Sequence, residues 1–126
     1  IRISYDALRY LKSPSLKVQI MAVKSNEAAI QLIKDLDKDK IREFLKVNIL
    51  VVKYISKEIN KEDLQEILKE VLSKEDVEEK YVRDFMNCSI IDRNSEIIPM
   101  DKILFIYKYG SKKARKIAVD EKLKMI

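Results

Sequence analysis

With 126 residues, a formal net charge of +5, one glycine, two prolines and no histidine, this chain lacks what several common folds require. Sandwiches and barrels of β-strands need many turns built from glycine and proline, and dinucleotide-binding α/β folds need glycine-rich phosphate loops. Because helix-forming Lys, Glu, Leu and Ile dominate instead, we expect residues 1–126 to form a single all-α domain.

The first part of the sequence repeats with a period of 22 residues. The pattern Lys-x-Asn at 24–26 recurs at 46–48, and the apolar pattern that follows each asparagine matches as well. Segments 15–23 and 37–45 also correspond, and each begins with a residue type that caps helices. A fixed period of this length indicates a repeat architecture.

Each repeat can form a helical hairpin. Ser15 is suited to cap a first helix that carries Val18, Met21 and Ala22 on one face, and a second helix is expected from about Asn26. Helices this short are unstable alone and persist when neighbouring repeats cover their apolar faces. We therefore expect short helical hairpins stacked as a small α-solenoid.

The same pattern returns near the end of the chain. Residues 103–111 mirror residues 7–15, which predicts helices that start near Ser15 and near Ser111 in equivalent settings. The alternative, that any amphipathic helices would align this well, stays open. On the repeat interpretation, the repeat-like units lie near 5–34, 27–56 and 101–126.

Longer helices are predicted between these units, over residues 60–87. Asn60 with Asp63, and Ser73 with Asp76, have the spacing of capping pairs at helix starts. Apolar residues follow each pair at helical spacing.

Residues 89–98 change in character. Their composition favours an irregular loop, and a small β-hairpin around residues 92–95 is the second interpretation. A loop that opens another helix is also compatible, although Pro99 fits poorly inside a helix.

The apolar periodicity predicts which side chains form the core. Cys88, the only cysteine, is expected to be a small buried side chain rather than a nucleophile. The residues predicted to be mostly buried are Ile20, Met21, Ile30, Ile33, Phe44, Leu45, Val52, Ile55, Leu64, Leu68, Phe85 and Leu104.

The segment from Ser13 to Asn26, with Ala29 and Ile30 after it, resembles short HEAT-like helical repeats of unknown function. Such repeats are common in proteins of bacteria and their phages, where runs like N-P-S-x-x-V-Q-x-x-A-V-x-x-N recur in tandem. The resemblance is clear over residues 5–34, degrades through 55 and returns faintly over 101–126. It implies an α-solenoid and a phage or mobile-element origin, and it carries no catalytic residues.

Catalytic, metal and cofactor chemistry finds little support in the sequence. The absence of histidine removes the usual general base near neutral pH and the commonest metal ligand, and no glycine-rich phosphate motif is present. We therefore expect a protein that is not an enzyme and binds no cofactor or metal. A single cysteine permits no intramolecular disulfide, which fits a reducing, cytoplasmic compartment. No apolar run is long enough to span a membrane.

The charge is unevenly distributed along the chain. Basic side chains outnumber acidic ones in residues 1–59 and 99–126, whereas acidic side chains prevail in residues 60–80. The densest basic cluster also contains aromatic residues, which suits contact with phosphates and bases. The alternative is a solvated helix start with packed tyrosines. The candidate partner-binding residues are Tyr107, Lys108, Tyr109, Lys112, Lys113, Arg115 and Lys116.

The expected function is therefore binding rather than catalysis. Solenoids present extended surfaces, so a protein–protein interaction module is the first hypothesis. The phage resemblance implies one version of it, a factor that binds and blocks a host protein. The second hypothesis is a helical-repeat protein that binds nucleic acid through its basic patches. Basic ends that flank an acidic middle favour a patterned protein surface over a uniform phosphate backbone.

Overall fold

The computed structural model describes residues 15–124, and the chain divides into two compact units, Ile1–Ile55 and Ser56–Ile126. The predicted all-α class with one small β element is confirmed. The parts of the expected repeats before Ser15, and residues 125–126, lie outside the described residues.

The first unit alternates α-helices with 3₁₀-helices. Side-chain caps start both longer helices: Ser15 Oγ accepts a hydrogen bond from Val18 N at 3.2 Å, and Asp37 Oδ1 accepts one from Lys40 N at 2.8 Å. These caps satisfy backbone donors that have no partner in the first turn. The elements of this unit are α1 (Leu16–Ser25), a first 3₁₀-helix (Glu27–Leu32), α2 (Lys38–Val47), a second 3₁₀-helix (Ile49–Val51) and α3 (Val52–Ile55).

Two asparagines, 22 residues apart, form equivalent joints between these helices. Asn26 has φ −156° and ψ 119°, and Asn48 has φ −155° and ψ 102°. Each backbone N–H bonds the last turn of the preceding α-helix, at Ala22 O and Phe44 O respectively, both at 3.0 Å. Each side-chain oxygen also accepts a hydrogen bond from the backbone N–H two residues later. One residue therefore ends one helix and starts the next.

The second helix of each hairpin differs from the expectation of an ordinary α-helix. The segments after Asn26 and Asn48 begin as 3₁₀-helices, and only the second continues, as the four-residue α3. Tighter i→i+3 hydrogen bonding suits pieces this short.

The core of the first unit lies between α1, α2 and the 3₁₀-helices. Ala22, Phe44, Leu45 and Ile49 are fully buried there. Asn48 is also buried. Its polar side chain is paired there, since its Nδ2 donates a 2.9 Å hydrogen bond to Val23 O near the end of α1. This bond joins the start of the second 3₁₀-helix to the end of α1.

The second unit consists of four α-helices and a small sheet. Asn60 caps the first of them as predicted, since its Oδ1 accepts from Asp63 N at 2.8 Å. Ser73 ends that helix instead of starting the next one, so the prediction of a Ser73–Asp76 capping pair was wrong. The elements are α4 (Lys61–Leu72), α5 (Glu79–Asn87), β1 (Ile91–Asp92), β2 (Ile98–Pro99), α6 (Lys102–Tyr109) and α7 (Lys112–Lys124).

The predicted β element in residues 89–98 is present as a two-stranded sheet whose strands run parallel. Ile91 lies opposite Ile98, and Asp92 lies opposite Pro99. Between the strands, Ser95 N donates to Asp92 O at 3.1 Å and closes a turn. Ser95 Oγ then accepts from Ile97 N at 3.1 Å and from Ile98 N at 3.3 Å, where β2 begins. Because the strands are parallel, a single tight hairpin turn does not connect them.

Polar side chains fasten α5 to its neighbours. Arg83 on α5 pairs with Glu79 on the same helix and with Glu121 on α7. The pKa of the Glu121 carboxyl is lowered by hydrogen bonds from Asn87 and then from Arg83. The Lys102 ammonium donates to the carbonyls of Met86 and Cys88, both at 2.9 Å, where α5 ends.

The predicted core is largely confirmed. Cys88 is buried, as are the predicted core residues other than Ile20, Met21 and Leu104. Ile20 and Met21 are half-buried. Leu104 is 62% exposed, so its predicted burial was wrong. Because α6 contains five consecutive apolar residues, its sequence does not show which side of the helix is buried. In the structure the buried side is formed by Phe105 and Ile106.

Candidate partner-binding site

The corner between α6 and α7 is built around the only glycine. Gly110 N donates to Ile106 O at 2.7 Å, and a Cβ placed on Gly110 would lie 2.6 Å from that oxygen. Ala114 of α7 also approaches closely, at 3.3 Å from the same position. A side chain at this position would collide with Ile106 in the last turn of α6 and crowd Ala114 of α7, so the close approach favours glycine.

Ser111 fixes the start of α7 at this corner. Its Oγ accepts from Ala114 N at 3.1 Å, which confirms the predicted helix start near Ser111. Its backbone N–H donates to Leu72 O, the end of α4, at 2.8 Å. The corner is therefore held against α4.

The predicted partner-binding residues lie on both sides of this corner, which we call the basic corner. On α6, Tyr107 is 72% exposed and Lys108 is exposed beside it. On α7, Lys112, Arg115 and Lys116 share one face because they are spaced i, i+3 and i+4. Lys113 lies beside this face, and all four basic residues in the first five positions of α7 are exposed.

Two members of the basic corner have structural contacts as well. The Arg115 Nε donates to Gly110 O at 3.1 Å and so closes the turn. Tyr109 is half-buried, and its ring packs 5.0 Å from the ring of Phe105. The alternative expectation, tyrosines packed into the fold, thus applies to Tyr109 but not to Tyr107.

Tyr109 lies beneath two lysine side chains. The Lys69 ammonium, from α4, is 4.4 Å from the centre of the Tyr109 ring, and the Lys108 ammonium is 5.2 Å away. A hydrogen bond from Lys108 is the main cause that lowers the Tyr109 pKa, and the charges of Lys108 and Lys69 add to it. Sequence reasoning missed Lys69 because only the packing of α4 on α6 brings it here.

An open groove of about 380 Å³ adjoins Tyr109 within the second unit, and we call it the α4–α6 groove. It lies between the first half of α4, the segment around β2, and α6. Its lining residues are Lys61, Gln65, Arg93, Pro99, Met100, Asp101, Leu104, Phe105, Lys108 and Tyr109.

The floor of the groove is apolar and its rim is cationic. Among the apolar lining residues, Met100 and Phe105 are buried, whereas the Leu104 side chain of α6 is exposed. Lys61, Arg93 and Lys108 supply three positive side chains.

Asp101 is the one carboxylate among the lining residues of the groove, and it is already engaged. Its Oδ1 accepts from Leu104 N at 3.1 Å as the cap of α6, and its Oδ2 lies 3.9 Å from Arg93 Nε. The lining thus carries an excess of positive charge over exposed apolar surface. Only Lys108 and Tyr109 belong to both the groove and the basic corner.

The sequence contained part of the signal for this groove. Leu104, Tyr107 and Lys108 are spaced i, i+3 and i+4, so they form one face of α6, but the apolar run around them concealed that the face is exposed. Lys61 and Arg93 carry no local signal at all, because they reach α6 only through tertiary packing.

The lining of the groove holds no thiol or serine hydroxyl, and its one carboxylate, Asp101, caps α6. Within residues 15–124, no His, Cys, Asp or Glu side chains form a group of three that could hold a metal ion. In the same part of the chain, no helix has both the length and the apolar character needed to cross a bilayer.

Comparisons with protein-family models, with curated proteins and with solved structures gave no significant match for this chain.

Proposed function

We propose that this chain is a non-catalytic protein-interaction module whose activity is to occupy part of a partner's surface. The observation that carries this proposal is the α4–α6 groove, where a cationic rim surrounds exposed apolar side chains. Exposed apolar surface rimmed by polar groups is typical of interaction sites. A chain without histidine also has few means of acid–base chemistry near neutral pH.

The repeat architecture is part of the proposal. The equivalent joints at Asn26 and Asn48, with matching dihedral angles and hydrogen bonds 22 residues apart, support successive solenoid repeats in the first unit. The bond from Asn48 to Val23 O supports the same interpretation, because neighbouring repeats in a solenoid stabilise each other. Solenoid repeats commonly serve as scaffolds for binding surfaces.

The setting we propose is a reducing, intracellular one, and the source a phage or mobile element. The single buried cysteine is compatible with a reducing compartment. The resemblance of residues 13–26 to repeats in phage proteins supports the second part, and it favours a host protein as the partner that is bound and blocked.

Nucleic-acid binding is the second candidate function, and the basic corner favours it. Tyr107 is available for stacking, and the cations of α7 lie on one exposed face next to it. We rank it second because the exposed large apolar side chain among the cations of the α4–α6 groove is Leu104, an aliphatic group that does not stack on bases.

One set of variants separates the two functions. The test variant changes Lys112, Lys113 and Lys116 to alanine and keeps Arg115, whose Nε holds the corner closed. The control variant removes the same charge outside the basic corner and the groove by changing three exposed lysines, Lys34, Lys53 and Lys57, to alanine.

The measurements are binding to random-sequence DNA and RNA over a range of salt concentrations, and affinity capture of partners with and without nuclease. We expect a captured protein that survives nuclease treatment and weak nucleic-acid binding that both variants reduce equally. Tight nucleic-acid binding at physiological ionic strength would replace the proposed function if only the test variant abolished it. In that case the salt slope of the test variant should fall by about one unit per phosphate contact removed.

A further inference from the structure

We infer that the α4–α6 groove binds an acidic segment of a partner protein, with carboxylates that flank a bulky apolar side chain. This inference rests on the proposed function and names the chemistry of the partner.

The charge of the groove selects for carboxylates. Lys61, Arg93 and Lys108 line it, and the Lys69 ammonium lies over the adjoining Tyr109 ring. The only lining carboxylate, Asp101, already caps α6 and faces Arg93. A ligand that supplies carboxylates therefore gains charge pairing that the groove itself does not provide, and it gains it most at low salt.

The floor selects for an apolar anchor. Leu104 is 62% exposed although it belongs to a helix whose next two residues are buried. Covering the Leu104 side chain removes apolar area from water, which favours binding. A ligand with carboxylates alone would leave this floor in water.

The size of the groove points to a peptide segment. About 380 Å³ lies near the lower end of the roughly 300–1,000 Å³ range of small-ligand pockets. That is room for an anchoring side chain or two, while the open rim lets a chain continue in both directions. A short amphipathic segment that docks one face in a groove is a common mode of peptide recognition.

The probe for this inference is a display library of random peptides, about twelve residues long, selected on the immobilised full-length chain. We expect enrichment of peptides with several Asp or Glu residues around one Phe, Leu or Met. The enriched consensus peptide is then titrated, together with two derivatives: one with its carboxylates changed to amides, and one with its apolar anchor changed to serine. Each derivative should bind at least about tenfold more weakly.

Matched variants locate the site. Leu104→Ser and Lys108→Glu remove the floor and one rim charge, and each should weaken the consensus peptide by about tenfold or more. Leu123→Ser and Lys122→Glu are the controls, because Leu123 has the same exposure, 61%, and neither residue lines the groove. Both controls should bind as the unmodified chain does.

Several results would overturn the inference: no enrichment, enrichment of neutral or basic peptides, or equal binding by the groove variants and their controls. These results leave the proposed function standing, because that function is tested separately, by capture of a protein that survives nuclease treatment. Binding of random-sequence DNA that Leu104→Ser abolishes and Leu123→Ser leaves intact would also overturn the inference, because the groove would then be a nucleic-acid site.

Discussion

The joints at Asn26 and Asn48 allow a stability prediction with a built-in comparison. Replacing Asn48 by Ala removes a helix cap, which costs about 0.5–2 kcal/mol, and leaves the buried Val23 carbonyl without this donor, which costs about 1–3 kcal/mol. We expect a loss of about 2–4 kcal/mol in the free energy of unfolding. Asn26→Ala removes an equivalent cap from a half-buried position and should cost about 1 kcal/mol.

Aspartate variants sharpen the comparison, because aspartate caps helices about as well as asparagine but cannot donate a hydrogen bond. Asn26→Asp should therefore be nearly neutral. Asn48→Asp should be at least as destabilising as Asn48→Ala, since it buries a carboxylate against the Val23 carbonyl.

The assay for all four variants is urea denaturation followed by far-ultraviolet circular dichroism, with the midpoints compared at a common slope. Equal losses for the two alanine variants, or a neutral Asn48→Asp, would refute the reasoning that the Asn48 side chain joins successive hairpins.

Three further predictions concern packing and charge. Gly110→Ala should destabilise the chain by about 1–3 kcal/mol in urea denaturation, because its Cβ meets Ile106 O; an unchanged midpoint would mean that the corner relaxes freely. Phe44→Ala should cost about 3–5 kcal/mol in the same assay, since Phe44 is fully buried, and a loss below about 1 kcal/mol would contradict that burial. Glu121→Gln should lower the melting temperature more at pH 7 than at pH 3. The folded pKa of Glu121 lies below its ordinary value of about 4.3, so its contribution is full above that value and is lost as the pH falls through the lower folded pKa. A melting-temperature difference that does not depend on pH would show that charge is not the cause.

Local signals predicted the starts of helices well. Ser15, Asn60 and Ser111 cap helices where the sequence placed them, because capping depends on one side chain and the three residues after it. Ser73 shows the limit of this signal, since it has the right spacing to Asp76 but ends a helix. The sequence spacing alone does not show whether such a serine precedes a helix or follows one.

The buried face of α6 and the lining of the groove depend on tertiary packing, so the sequence did not predict them. The continuous apolar run of α6 fits any helix phase, so only contact with α5 and α7 decides that Phe105 turns inward and Leu104 outward. Lys69 lies over the Tyr109 ring and Lys61 lines the groove, yet both belong to α4, more than 30 residues before α6 in the sequence. The basic corner was predictable because its residues lie close together in the chain, between positions 107 and 116, whereas the groove was not.

The single-residue joints restrict where foreign sequence can be inserted. At Asn26 and Asn48 a single residue both ends one helix and caps the next. One added residue would therefore rotate the following helix and break the hydrogen bonds on one side of the joint. Residues 34–37 between the first 3₁₀-helix and α2 are exposed and irregular, which is where insertions and proteolytic cuts are usually tolerated. An epitope or a fluorescent reporter for binding measurements therefore belongs between Asp35 and Leu36, where it leaves both the Asp37 cap and the asparagine joints intact.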